Sequence, residues 1–478
     1  MEHSMRVLHA ATIALVAGLA TGVSGQRVAD TKEPGMADVR FMTLDPGHFH
    51  AGLVQKEMYP GVASRVDVYA PLGADLLGHL ARINAFNNRP DQPTAWRLEV
   101  HTGPDFFERM LAEHPGNVVV ISGRNRGKIE RIGRSVAAGL NVLADKPWIL
   151  RSADLPALER MLADADAKGV VAYDIMTERF EVTSEIQRAL VNDTAIFGGI
   201  PPGSPDRPSV YMESIHHLMK VVAGAPNIRP TWFFDTAEQG EGLNDIGTHL
   251  VDLVQWTLFP DQAIDYKTDI TVLSAQQWPT AIPETDFKRV TASPGFPETL
   301  RGKVLNGALQ YDCNTLVSYR VRGVHAVLNV IWDWEAPPGA GDRHYAVYRG
   351  SKASVEVRQT KADKYQTEVY VVPNSGQDPG VIAKAVAARV AALQADYPGV
   401  KAEEKGSEIH VTIPDRFRDG HEAHFARVTR NFLQYLKDRS ALPPWERPNM
   451  VAKYFVTTTG TELSHQSPPK AASRIAPE

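Results

Sequence analysis

The chain has 478 residues, 43% of them hydrophobic and 22% charged, with a formal net charge of −5. That composition fits an ordinary soluble globular protein long enough for two or three cores. The mildly acidic balance, with no long basic run, excludes a dedicated nucleic-acid binder.

Arg6 precedes an apolar and small-residue stretch over 7–23, and Val23-Ser24-Gly25 offers a cleavage site. Residues 1–25 are therefore expected to be a Sec-type signal peptide, sending the protein to the periplasm or out of the cell. A single membrane anchor is the competing reading of the same stretch. No cysteine follows the run and no twin-arginine pair precedes it, which excludes a lipidated anchor and gives no folded-export signal. No other run reaches the ~20 apolar residues of a membrane helix, so no stable membrane span is expected. Cys313 has no partner for a disulfide and reads as a strand residue.

After a polar linker (26–37), residues 39–44 read as a buried strand and 50–58 as a helix. Further strands are expected at 65–69, 96–101, 117–121, 141–144 and 170–173, with helices at 104–114, 128–140 and 154–168. A polar, Asn/Pro-rich connection leads into the third strand. Strands alternating with helices at this spacing predict a doubly wound parallel sheet, an α/β domain of nucleotide-binding type over 38–175. From residue 176 strand-like runs dominate, at 210–217, 270–273, 316–320, 326–332, 345–348, 354–357 and 367–372. They predict an α+β domain over 176–465 with a large, mostly antiparallel open sheet. An Ala-rich helix at 382–397 reads as part of a surface insertion near 376–406. Helices at 421–438 and 449–463 close the chain, and 466–478 reads as a disordered tail.

Two segments carry candidate chemistry. In Asn141-Val142-Leu143-Ala144-Asp145-Lys146-Pro147 a strand ends in an acid–Lys–Pro turn. Ligands of such sheets bind outside the carboxyl ends of the strands, which places Lys146 at the crevice. The second segment runs from Gly240 to Trp256, with Ile246, Leu250, Leu253 and Val254 at helical spacing. Asp245 and His249, four apart, are expected on one side of one helix, where a carboxylate beside an imidazole suits a general base. A solvated surface Lys and a structural His at a helix start are the bland alternatives.

Together the two segments resemble the Gfo/Idh/MocA family, named after glucose–fructose oxidoreductase and inositol dehydrogenase. That family carries Glu-Lys-Pro after the fifth Rossmann strand and an Asp-x-Gly-x-His-x-x-Asp helix. Here these stand as Asp145-Lys146-Pro147 and as Asp245 to Asp252 within Gly240–Asp252. Asn125 and Glu178-Arg179-Phe180 are lesser echoes. The resemblance implies an NAD(P)-dependent oxidoreductase acting on a sugar, polyol or glycoside. Lys146 and His249 would meet the reacting oxygen, with His249 as base and Asp245 orienting it. It also implies a tightly bound NAD or NADP held by Gly47, His48, Phe49, His50, Ser122, Asn125, Asp145, Lys146 and Pro147. Arg179, His216, His217 and Asp245 are substrate-binding candidates. No metal is expected, with a site at His217 and His249 as the alternative.

The chain departs from the family at the first βα turn. The glycine-rich G-x-G-x-x-G becomes Asp45-Pro46-Gly47-His48-Phe49-His50, which keeps only Gly47. Asp45 brings a negative charge to a phosphate-binding position unless a cation compensates it. The second strand ends Tyr69-Ala70-Pro71, without the acid that takes a ribose hydroxyl. Arg124 and Arg126 are nearby candidates for phosphate contacts. Three functions compete: the oxidoreductase, a redox-neutral glycoside-cleaving enzyme with bound NAD, and a non-catalytic carbohydrate-binding relative. A homo-oligomer formed through the open sheet is expected.

Overall fold

Two short, almost wholly apolar runs, β1 (Phe41–Leu44) and β4 (Val118–Ile121), are buried throughout. Such runs suit a parallel sheet covered on both faces. The computed structural model describes residues 38–222, 225–337 and 340–467. The expected signal peptide and linker, and the tail beyond residue 467, lie outside the described residues. β1 is followed by α1 (His50–Val54), β2 (Arg65–Ala70), α2 (Ala74–Asn88), β3 (Arg97–Thr102) and α3 (Phe106–Glu113). After β4 come α4 (Lys128–Ala137), β5 (Asn141–Asp145), α5 (Leu155–Lys168) and β6 (Ala172–Ile175). All six strands pair in parallel in the order β3-β2-β1-β4-β5-β6. The order reverses between β1 and β4, and the crevice at their carboxyl ends is where such sheets take ligands.

α2 stands where a polar connection was expected. Leu76, His79 and Ile83 are its buried face, three and four residues apart, while the Asn-rich remainder faces outward. α1 ends at Val54, four residues before the expected end.

The second domain begins with α6 (Val182–Val191), which the sequence reading did not anticipate, and β7 (Val210–Met219). β7 lies at the centre of a ten-stranded sheet. It pairs in parallel with Val324–Glu335 and antiparallel with Arg343–Arg349. Ile270–Pro283 and Ala308–Val321 continue the sheet on one side. Ala353–Arg358, Glu368–Pro373, Glu408–Thr412 and Lys401–Lys405 continue it on the other. The helix expected as a surface insertion spans Pro379–Leu393, and its Ile382, Val386 and Val390 belong to the main core. Apolar spacing at i, i+4 and i+8 gives it a face to bury, so it packs rather than protrudes.

The closing helices return to the first sheet. Phe425, Val428 and Phe432 of His421–Lys437 pack with Phe41, Val66 and Tyr173. Met450, Val451 and Tyr454 of Glu446–Ser464 pack with Met42, Val119 and Val142. No helix among the described residues is long and apolar enough to cross a membrane.

Candidate active site

Two adjoining cavities open at the carboxyl ends of the parallel strands. One, of about 650 Å³, lies over the ends of β1 and β2 and is lined by Gly47, Phe49, Pro71, Asp75, Arg124 and Trp232. The other, of about 440 Å³, lies between β5 and the second sheet and is lined by Lys146, Asp245, His249, His216, Trp332 and His344. His48, Phe49, Arg229 and Phe233 line both.

The altered βα turn is held by charge. Asp45 takes the left-handed conformation, φ +46°, that glycine adopts freely; Asp is among the few other residues that tolerate it. Arg131 donates to its carboxylate at 2.6 Å and Arg124 approaches to 4.0 Å, so the acid in this loop is already compensated. Gly123 packs directly against the same loop, since a Cβ there would come within 2.2 Å of the Asp45 carbonyl oxygen. Beyond the end of β2 a carboxylate lines the cavity, Asp75, in the first turn of α2. It accepts from Trp232 Nε1 at 3.0 Å and pairs with Arg124 at 3.3 Å.

Lys146 follows β5 through a cis peptide bond to Pro147, and its ammonium pairs with Asp245. Both are buried. Burial works to raise the Asp245 carboxyl, but the Lys146 charge overrides it and holds the group at about 2. His249 is pushed down to about 4, first by burial and then by Lys146, against the pull of Glu178. It is therefore a neutral imidazole near pH 7. Asp245 and His249 sit on two abutting helices, Gly242–Asp245 and Gly247–Leu258, rather than on one uninterrupted helix. Among the described residues no hydrogen bond joins them, and the buried His249 Nδ1 has no partner.

The other residues singled out from sequence divide into those at the cavities and those spent elsewhere. Ser122 Oγ donates to Asp145 Oδ2 at 3.1 Å, and Asn125 donates to the Gln239 carbonyl at 2.6 Å. Alternation along β7 puts Ser214 and His216 at the smaller cavity, whereas Glu213 and His217 face away from it. His216 and His217 both bond Asp342, at 3.0 and 3.2 Å. Arg179 lines neither cavity. Its guanidinium binds Asp252 bidentately at 2.6 and 2.7 Å and Glu446 at 2.6 Å, in a buried network extended by Lys453 and Asp174. A guanidinium with its donors spent in this way serves the fold, which corrects its expected place at the substrate. His217 and His249 do not form a metal-ligand group; the His/carboxylate group found among the described residues is His48, His50 and Asp145.

An acid–imidazole cluster not expected from the sequence also lines the smaller cavity, formed by Glu178, Glu181, His344, His421 and His424. Burial opposes ionisation of Glu178, but His421 at 3.4 Å and the nearby His249 hold its carboxyl well below the usual range. Burial and the Glu178 charge push Glu181 up to about 7. The pair His421 and His424, three apart at the start of a helix, is the one sequence feature from which this cluster could have been expected.

The parallel six-stranded sheet, the large second sheet and the polar set between them define a two-domain oxidoreductase. A family model described as "Putative oxidoreductase C terminal domain" matches residues 186–465. The chain belongs to this family, of the Gfo/Idh/MocA type. The crystal structure of a putative oxidoreductase from Parabacteroides merdae ATCC 43184 is 46% identical with a TM-score of 0.88; the match covers 90% of this chain and 98% of that one. Levoglucosan dehydrogenase in complex with NADH and levoglucosan shares the fold at 14% identity and TM-score 0.55, over 90% of this chain and 97% of that one. So does GenD2 from gentamicin A biosynthesis in complex with NAD, at 15% identity and TM-score 0.53, over 91% and 95%. No curated protein sequence matches the chain.

Proposed function

We propose that the protein is an NAD(P)-dependent oxidoreductase acting on a hydroxyl or carbonyl of a sugar, polyol or glycoside, with Lys146 and His249 at the reacting oxygen. The observation that carries this reading is the meeting of Lys146, Asp245 and His249 in a cavity that adjoins a second one at the switch point of the parallel sheet. The larger cavity suits a dinucleotide. Its loop approaches closely at Gly123, its acid Asp45 is neutralised by arginines, and Asp75 offers an acceptor for a ribose hydroxyl. The levoglucosan dehydrogenase and GenD2 structures, which contain NADH and NAD, support the same cofactor class. When bound, the nicotinamide takes up or gives the hydride.

The chain's own residues do the rest. Asp245 fixes the Lys146 ammonium, which donates to the substrate oxygen and stabilises charge developing on it. His249, neutral because it is buried beside a cation, accepts the hydroxyl proton during oxidation and returns it during reduction. Trp332 and Phe233 supply apolar walls for a ring face. Export by the N-terminal segment and assembly through the open face of the second sheet belong to the same proposal. Cell fractionation and light scattering check them.

Mass spectrometry of denatured protein and thermal shifts with NAD and NADP test the reading directly. A retained nicotinamide nucleotide, or a shift on adding one, is expected; neither appearing overturns it. With the cofactor present, turnover that depends on an added electron acceptor marks net oxidation, and turnover without one marks redox-neutral glycoside cleavage. Lys146→Ala is expected to cost about 10²–10³ in kcat while the protein still melts cooperatively.

A further inference from the structure

The loop that replaces the glycine-rich turn, the start of α1 and the end of β5 bring three ligand-type side chains to one point. The Nδ1 atoms of His48 and His50 converge on a single carboxylate oxygen, Asp145 Oδ2, at 3.3 and 2.8 Å. One donor atom from each of the three residues lies within 4.8 Å of the others. A tetrahedral shell with bonds near 2.0–2.1 Å sets its donors roughly 3.3 Å apart, so this spacing suits an ion at the centre. Asp145 is 4% exposed, and its other oxygen, Oδ1, is buried without a hydrogen-bond partner, as is His48 Nδ1. A buried carboxylate oxygen left without a donor is costly, and the His48 nitrogen, near Oδ2 but making no well-aligned hydrogen bond, adds to the cost. A cation coordinated by both relieves them together.

We propose that His48, His50 and Asp145 form a binding site for a divalent transition-metal ion of the zinc type. Two imidazoles and a carboxylate favour Zn²⁺ and its first-row neighbours over Mg²⁺ or Ca²⁺, which prefer all-oxygen shells. The surroundings hold the carboxylate in place. Ser122 Oγ donates to Asp145 Oδ2, and Lys128 Nζ donates to the Asp145 carbonyl at 2.9 Å. Such outer partners orient metal ligands. Three protein ligands leave at least one position open, and His48 lines both cavities. The open position is taken by an oxygen of the bound ligand, a phosphate or a hydroxyl. The ion thereby supplies positive charge where the loop has lost two of its three glycines.

The test uses the full mature chain, stripped with a chelator and titrated with Co²⁺ while its visible d–d absorption is followed. Zn²⁺ stoichiometry is then measured by elemental analysis after desalting. One equivalent of Co²⁺, displaced by Zn²⁺, is expected. His50→Ala and Asp145→Asn should each weaken binding at least about tenfold, the scale of lost ligand-shell contacts. His410→Ala, which removes an imidazole bonded to Glu368 on the far part of the second sheet, should leave binding unchanged. If Asp145→Asn does not fold, His48→Ala at the cavity edge serves in its place. No cobalt band with wild-type protein, or undiminished binding in His50→Ala, overturns the site. Nucleotide content measured on the same samples keeps the two readings apart. Cofactor without metal removes the ion site alone, and metal without cofactor removes the oxidoreductase reading alone.

Discussion

His249 depends on its surroundings for its charge state, since the depression to about 4 comes from burial and from Lys146. A base must be unprotonated to act, so kcat/KM should fall only as pH drops through about 4, well below the ordinary value of 6.5. A pH–rate profile checks this; an acid limb near 6.5 would mean that the enclosure does not depress the imidazole in solution. His249→Ala should lose about 10²–10⁴ in turnover at neutral pH. The larger cavity carries a second residue-scale prediction. In the proposed cofactor site, Asp75 would accept from a ribose hydroxyl and repel a 2′-phosphate. Asp75→Ala should therefore weaken NAD binding about tenfold, the scale of a hydrogen bond to a charged group, and shift preference towards NADP. Equal affinities before and after, measured by calorimetry, would remove Asp75 from the cofactor site. Lys146, Asp245 and His249 were legible in the sequence because each lies in a short local motif. Asp75 was not, because the acid sits past the strand end, on a helix the sequence reading missed.

The same contrast holds for whole elements. Among the parallel strands β1 and β4 announce themselves as apolar runs, whereas the edge strand β3 is polar and largely exposed; alternation with helices marks the sheet as parallel. The long strands Ile270–Pro283 and Ala308–Val321 were legible only in part, because they are partly exposed and carry the half-buried Gln276, Gln277 and Gln310. A half-wet strand mixes polar and apolar residues, and bulges in this pair break the alternation further. α2 and α6 were lost for a related reason: a narrow apolar stripe among polar residues looks like a loop. The joint between elements is the buried network of Arg179, Asp252, Lys453, Asp174 and Glu446, which ties β6, the following turn and the helices Gly247–Leu258 and Glu446–Ser464. Burial works against the Asp252 charge, but Arg179 and Lys453 hold its carboxyl at about 2. Asp252→Ala takes one partner from each of two buried cations, leaving Arg179 with Glu446 and Lys453 with Asp174, and should cost about 1.5–3 kcal/mol of stability, the scale of hydrogen bonds to charged groups. Denaturant unfolding measures this, and a loss below about 1 kcal/mol would show that the network is dispensable.

At the scale of the whole molecule, residues from the far end of the chain complete the first sheet's core, a long-range closure that no local pattern announces. The closing helix His421–Lys437 also brings His421 and His424 to the smaller cavity, so site and core are sealed by one element. This enclosure leaves several imidazoles buried and neutral, which sets the protein's response to acid. His79, His249 and His424 are each pushed down to about 4, chiefly by burial. Arg82 adds to the effect on His79. For His424 the nearby His421 and Arg427 add to it, while Glu178 and Asp419 oppose it; for His249, Lys146 and His421 add while Glu178 and Asp252 oppose. Between pH 6.5 and 4 the unfolded chain binds protons at these positions and the folded chain does not. Stability therefore rises with pH across that window and is lost as pH falls through it. At pH 5 each histidine costs up to about 2 kcal/mol relative to neutral pH. Asp245 and Asp252, held at about 2, surrender their contribution only at lower pH, between 3.8 and 2. The melting temperature should thus fall from pH 7 to 5, before Asp245 or Asp252 is protonated, with Glu181, pushed up to about 7, taking up its proton in the same window and offsetting part of the fall. In His424→Gln, which removes one of the titrating groups, the fall should be shallower. A melting temperature flat over that range, read by calorimetry, would mean that the histidines reach water in the folded protein and that the closing helix does not seal the site.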